Sequence, residues 1–326
     1  MSSKDPHPQP SRRDRDRQQR EAETSEERRR RLDRQKEYRK DLGRSEYQSF
    51  NKAVVLTQVM RQSGQDQEQV RFREIPLRLR DASVTKDDWE HLMTRREGQV
   101  ANRDSFSQAL HLLPTVDAVA AYNLDKLHHN GQPVAEIKAT HSGPRANTAT
   151  SDDAGRLDPV VHIADGARVM LTSNLWVDAG LVNGAMGTVQ AICYQSGGLP
   201  DLPIAVMGSF DSYSSPTMHD GFVSIVPIRH SWMSGGATCS RLQLPLKLAW
   251  AVTIHRSHGL TLGKAVVDIS SKEFCVGLTF VACSRVRCLS DLMFSTGFDF
   301  DRISSIANNV RLQERRVEDS RLQLLQ

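Results

Sequence analysis

The chain has 326 residues, a formal net charge of +4 and 38% hydrophobic content, which leaves room for about two ordinary domains. Fourteen basic and nine acidic residues between Ser11 and Arg44 put about +5 on the amino-terminal arm and leave the remainder near −1, so no bulk field marks the folded body as a nucleic-acid binder. Five cysteines without a CxxC pair suggest neither zinc nor a disulfide framework, and no apolar run approaches the roughly 18 residues that span a bilayer; a soluble, intracellular protein with no metal site and no membrane partner is expected.

The arm itself, SRRDRDRQQREAETSEERRRRLDRQKEYRKDLGR, has almost no apolar residue. Opposite charges at helical spacing, such as Glu27 with Arg31 and Asp33 with Glu37 beside Lys36 and Lys40, predict a solvated, partly helical segment without a core. Arg28 to Arg31 read first as a plain charged linker helix or tail, and also suit a nuclear-import signal or a phosphate-binding patch. From Phe50 the composition turns globular. Ala53-Val54-Val55-Leu56 reads as a strand, followed by Met60-Arg61-Gln62.

Gln67 to Arg80 reads as a helix with Pro76 in its interior, where proline costs about 3 kcal/mol or kinks the helix. Thr85 with Asp88 three residues later, and Val84 with Trp89, match a capping box and hydrophobic staple, predicting a helix from Lys86 to about Arg96. A strand from His111 to Thr115 then leads into a helix from Val116 to His129, with Val119, Ala120, Leu124 and Leu127 facing inward and Gly131 beyond its end. Residues 141–158 read as a polar linker.

Short strands follow at Val160–Ile163, Ala167–Thr172, Gly187–Cys193, Pro203–Val206 and Phe222–Ile228, with Asn183-Gly184 as a hairpin turn. That density predicts a small antiparallel barrel. Tyr213 and Trp232 suit base stacking or core packing. Between Pro245 and Phe294 strands and helices alternate, which argues a parallel α/β sheet: Leu246 to Trp250, the polar turn TIHRSHG from Thr253 to Gly259, the strand Val266-Val267-Ile269, and the helix GLTFVACSRVR from Gly277 to Arg287. Arginines at that helix end satisfy its dipole or await a phosphate. Ile303, Ile306, Val310 and Leu312 predict a tail helix packed on the core, after which RLQERRVEDSRLQLLQ frays.

TIHRSHGLTL and GLTFVACSRVR resemble the fifth and sixth motifs of superfamily-one DNA helicases of the petite-integration-frequency (PIF) type, whose usual forms are TIHKSQGLTL and one close to FVALSRVR. Arg256 stands where Lys is usual and His258 where Gln is usual. GARVMLTSNLWVDAGLVNGAMGTV is similar to the barrel inserted in the second motor core of such helicases, and the strand followed by Arg61-Gln62 resembles their fourth motif. The resemblance, over about Phe50 to Phe300, implies an α/β fold: the RecA-like second motor domain of a P-loop helicase, with an inserted antiparallel β-barrel and a charged arm. The implied divisions are 1–46 (arm), 47–158 and 241–300 (motor core), 159–240 (barrel) and 301–326 (tail).

By the same resemblance Arg61 and Arg285 reach the terminal phosphate and act in ATP hydrolysis, Gly259 joins them in nucleotide binding, and Thr115, Thr253, His255 and Ser257 touch the backbone of single-stranded DNA. Asn123 matches a recurrent helix Asn. Thr115 is also a natural N-cap. ATP and magnesium are the implied cofactors, held mainly by a first core. The phosphate-cradling sequence GxxxxGKS/T does not occur in this chain: its Gly263-Lys264 pair runs into Ala265 and a strand. Asp268, at the end of Val266-Val267, is read as structural.

The implied activity is ATP-driven, five-prime to three-prime translocation on single-stranded DNA, by a fragment inactive alone and completed by a missing segment or partner chain carrying the first core. The alternative is a non-enzymatic DNA-binding remnant of a mobile-element helicase; the arm is also similar to Arg/Glu-rich repeats of transposon-encoded proteins. The basic arm points to the nucleus, with the mitochondrion open.

Overall fold

A computed structural model describes residues 25–56, 58–195, 202–217, 221–271 and 275–325. Ser11 to Thr24 of the arm lie outside the described residues. The chain divides into two units, residues 1–57 with 314–326, and residues 58–313.

In the smaller unit the arm forms one helix, α1 (Ser25–Gln48), as its charge spacing predicts. Its described side chains are exposed. Arg321 lies over the Tyr47 ring at 5.4 Å, and the Ala53 N–H donates to the Leu325 carbonyl at 3.1 Å. The expected strand at Ala53–Leu56 does not form; Val54 and Leu56 are 88% and 91% exposed. β-branched residues favour a strand only where a partner strand satisfies their backbone.

The larger unit is built on a parallel sheet in the order β12 (Ala251–Thr253), β1 (Leu110–Leu113), β13 (Ala265–Val267), β14 (Leu292–Phe294). Leu112 sits in register with Val252 on one side and Val267 on the other. Helix α2 (Gln67–Asp81) covers the sheet with Phe72, Ile75 and Leu79, and α5 (Leu278–Cys283) adds Val281 and Ala282 to the same core. Pro76 neither ends nor interrupts α2; it is buried on the inner face beside Ile75, where burial of the ring offsets the lost hydrogen bond.

Helix α3 (Lys86–Met93) carries the predicted capping box: the Thr85 hydroxyl accepts from the Asp88 N–H and the Asp88 carboxylate accepts from the Thr85 N–H. It stops three residues short of Arg96 because Arg95 and Arg96 are taken by the sheet, the Phe294 N–H donating to the Arg95 carbonyl at 2.9 Å. Helix α4 (Val116–His128) follows β1. Its buried side chains are Asn123 and Leu127, whereas Ala120 and Leu124 are exposed, so the apolar face expected to look inward is turned partly out.

An antiparallel sheet orders β11 (Leu246–Leu248), β5 (Arg168–Leu171), β6 (Met186–Cys193), β7 (Ala205–Phe210) and β8 (Val223–Ile225). Among the described residues its outer strands do not pair with each other, so the stretch expected to be a small antiparallel barrel is an open sheet. Gly184, at φ +94°, donates its N–H to the Leu171 carbonyl at 2.9 Å and brings β5 and β6 together, as Asn183-Gly184 predicts. β2 (Ala135–Lys138) pairs with β4 (Val160–Ile163), whose bounds match the sequence reading.

Residues 141–158 are not a linker. β3 (Thr140–Ser142) joins a third sheet, β3, β10 (Ala237–Gln243), β9 (Ile228–Ser234), and the rest of the segment wraps the fully buried Arg241. The Arg241 guanidinium donates to the carbonyls of Leu157 (2.8 Å), Ala149 (2.7 Å) and Ala146 (3.3 Å). Polar composition concealed this, since the segment supplies carbonyls to a buried cation rather than side chains to a core.

The carboxyl-terminal segment forms α6 (Phe300–Ser304) and α7 (Val310–Gln323), so the stretch expected to fray is helical. Ile303 and Leu312 are buried and Val310 is exposed. No helix among the described residues is long and apolar enough to cross a membrane.

Candidate functional site

Two groups of predicted residues are brought together in the larger unit. The first surrounds Ser284, just past the end of α5. Arg61 donates from Nη1 to the Ser284 carbonyl at 2.7 Å and from Nε to the Thr261 hydroxyl at 3.0 Å. Arg285 donates from Nη2 to Ser284 Oγ at 2.7 Å, from Nε to the Val281 carbonyl at 2.8 Å, and from Nη1 to the Ser257 carbonyl at 3.3 Å. Arg285 is only 7% exposed. Burial, and then the charge of Arg61, push its pKa down to about 10, and burial lowers Arg61 as well. Neither arginine has a carboxylate partner among the described residues. Two close cations without a counter-ion form a site suited to an anion with several oxygens.

Residues that the sequence reading left unassigned hold this arrangement. Gln62, buried, donates to the Val286 carbonyl at 3.2 Å, and Gln69 donates to the Arg287 carbonyl at 2.7 Å. Arg73 fixes the chain after Arg61 by donating to the Gln62 carbonyl at 3.1 Å. The adjacency of Gln62 to Arg61 is a sequence signal for one of them; Gln69 and Arg73 look like ordinary polar positions of a helix. Gly259 has φ +84° with open space beside its Cα, which shapes the turn where the Leu260 N–H donates to the Ser257 carbonyl at 3.0 Å.

The second group lies at the carboxyl ends of β1 and β12, paired parallel with Leu113 opposite Thr253. In open α/β sheets that edge is where ligands sit. Thr115 caps α4, accepting from the Ala118 N–H at 3.2 Å, and Thr253 accepts from the Arg256 N–H at 3.3 Å. Each hydroxyl keeps its own proton to donate. Asn123 clamps the edge strand: its side chain donates to the Ala251 carbonyl at 3.0 Å and accepts from the Ala251 N–H at 2.8 Å. His255 is exposed, its ring 6.3 Å from that of His258.

Ser257 serves the loop instead. It is fully buried and donates its hydroxyl to the Ile254 carbonyl at 2.7 Å, so its expected DNA contact has no exposed atom to carry it. Asp268 accepts from the N–H and hydroxyl of Ser270 in a local turn. Trp232 packs parallel to the His230 ring on β9, and Tyr213 meets Trp176 edge-on.

Between α4 and the strands β4, β11 and β12 lies a cleft of about 500 Å³. Thr253, Arg256 and Asn123 line it together with the apolar side chains of Val116, Val119 and Leu124. In the sequence Arg256 is marked only by standing where the motif usually has Lys.

No family model matches the chain. It is 35% identical over 212 residues to the ATP-dependent DNA helicase PIF1 of Danio rerio, covering 63% of this chain and 30% of the relative. It is 32% identical over 211 residues to the PIF1 helicase of Homo sapiens, covering 63% and 28%. The chain thus spans less than a third of the curated relatives it matches. Its fold is similar to the crystal structure of Pif1 helicase from Candida albicans, with a TM-score of 0.61 at 24% identity over 82% of this chain and 60% of that one. It is also similar to Bacteroides Pif1 bound to single-stranded DNA, with a TM-score of 0.57 at 23% identity over 82% and 57%. By sequence this chain is similar to PIF1 helicases over part of their length, and its fold is similar to that of the solved Pif1 structures.

Proposed function

We propose that the chain is the second motor core of an ATP-dependent DNA helicase that moves five-prime to three-prime on single-stranded DNA, and that alone it does not turn over ATP. The observation that carries this reading is the pair Arg61 and Arg285 around Ser284, with no carboxylate partner for either among the described residues. Half-buried like charges are costly unless an anion compensates them, and the terminal phosphate of ATP does so while charge develops in the transition state. Thr115, Thr253 and His255 are the contacts to the DNA backbone.

The donor set fits the phosphates and not the metal. Magnesium at a nucleotide takes one or two carboxylates besides water and the phosphates, and no described carboxylate pairs with Arg61 or Arg285. In this reading the metal and the phosphate-cradling loop are supplied by a first core, on another segment or another chain. A nuclear location guided by Arg28 to Arg31 and descent from a mobile element belong to the same proposal.

Joining the chain to the P-loop core of a PIF-type helicase tests it. The joined protein should hydrolyse ATP with stimulation by single-stranded DNA, Arg285→Ala should remove that turnover, and the chain alone should show none. Turnover by the chain alone that vanishes in Arg285→Ala overturns the proposal. A joined protein that binds DNA without turnover leaves the non-enzymatic alternative in its place.

A further inference from the structure

The cleft beside α4 has walls that DNA-backbone contacts do not explain. Val116, Ala120 and Leu124 recur every four residues along α4 and form one stripe. In a globular core that stripe would be buried, yet Val116 is 73% and Leu124 40% exposed. The stripe faces Leu246 and Leu248 across the cleft. A concave apolar surface of this size is characteristic of ligand sites and costs stability while it stays wet.

The charges on the lining are unevenly placed. Arg256 stands beside Thr253, and its guanidinium has no ion-pair or hydrogen-bond partner among the described residues. Asp158 is neutralised by Lys247, 2.9 Å away, whereas Asp152 carries its charge unpaired by any described residue. A phosphate is therefore drawn to the Arg256 rim and repelled from the Asp152 end. The apolar walls suit a flat, weakly polar group attached to that phosphate.

We propose that this cleft seats a nucleobase of the single strand, whose adjoining backbone phosphate is held by Arg256. The proposal rests on the reading of the chain as a single-stranded DNA binder and adds to it a base-insertion subsite, distinct from contact with the sugar-phosphate backbone. An arginine suits this rim because its planar fork grips two phosphate oxygens at once, which a lysine does not. Withdrawing about 60 Å² of a base's apolar face from water on these walls adds about tenfold in affinity.

The test compares oligothymidine of about twelve nucleotides, within the usual span of a single-strand site, with an abasic spacer strand of equal length and charge, by fluorescence anisotropy at low salt. Wild type should bind oligothymidine about tenfold more tightly than the spacer strand. Val116→Gln with Leu124→Gln, neutral changes at exposed positions whose folding circular dichroism checks, should erase that preference and leave spacer binding unchanged. Arg256→Ala should weaken both strands alike and lower the salt slope by about 0.7. Equal wild-type binding of the two strands, or a thymidine preference that survives Val116→Gln with Leu124→Gln, overturns the subsite while the DNA-binding reading stands. Binding of neither strand by wild type overturns both.

Discussion

Arg61 and Arg285 are fastened to opposite ends of one residue: Arg61 donates to the carbonyl oxygen of Ser284, and Arg285 donates to its hydroxyl, each at 2.7 Å. The two guanidinium groups are thereby held near each other although their positions are far apart in the sequence. Ser284 Oγ is itself tied back, donating to the Val281 carbonyl at 3.0 Å. In the joined protein described above, Arg285→Lys should lose most of the turnover that Arg285→Ala loses, roughly 10³-fold or more, because a lysine cannot span Ser284 and a phosphate together. Steady-state ATP hydrolysis measures it. Retention of more than about a tenth of the rate by the lysine variant contradicts a bidentate role.

Ser284→Ala removes one acceptor from a buried arginine. We expect a stability loss of about 1 kcal/mol by urea unfolding. Weaker binding of inorganic tripolyphosphate, read by isothermal titration calorimetry, should accompany it, because the Arg285 fork is no longer aimed.

Arg241→Met should be among the most damaging single changes in the larger unit. It leaves the carbonyls of Leu157, Ala149 and Ala146 without their shared donor, and buried unpaired carbonyls cost about 1 to 3 kcal/mol each. Residues 141–158 should become the first site of limited proteolysis in this variant. An unchanged cleavage pattern contradicts the assignment of Arg241 as the post around which the segment is wound.

Asn123→Ala should release the edge strand β12 from α4, because both hydrogen bonds to Ala251 are lost. A cost of about 2 kcal/mol is expected, with faster amide exchange at Ala251 than at Val267 on the inner strand. Similar exchange at the two positions runs against the clamp.

His111 supplies a pH dependence. Its ring lies tilted against Tyr122 with centroids 4.4 Å apart, its Nε2 lies 2.7 Å from the Tyr122 hydroxyl, and burial followed by the charge of Lys126 holds its pKa down at about 4. Unfolded histidine titrates near 6.5, so on acidification the unfolded state takes up the proton first. The stabilisation is complete above about pH 6.5, falls as the pH drops toward 4, and is lost below that. The melting temperature of wild type should fall across this interval more steeply than that of His111→Gln; parallel curves contradict the assignment.

Much of the local structure was legible in the residues. The Thr85 and Asp88 pair specified a helix start, because a capping box is made by side chains three positions apart. Val160–Ile163 specified a strand and Asn183-Gly184 the turn that closes β5 onto β6, because a left-handed backbone selects glycine. The strings TIHRSHGLTL and GLTFVACSRVR named the two loops that meet around Arg285. Ala53–Leu56 shows where this reading stops: its residues favour a strand, but a strand also needs a neighbour, and propensity does not supply one.

The sequence by itself determined the caps and turns and singled out Arg61 and Arg285, since these depend on residue types at short spacings. Only the tertiary structure decided that residues 141–158 wind around Arg241, that Ser257 points into its loop, and that the apolar stripe of α4 lines a cleft instead of the core. A helical period marks which residues share a face, but what that face meets depends on strands far away in the chain.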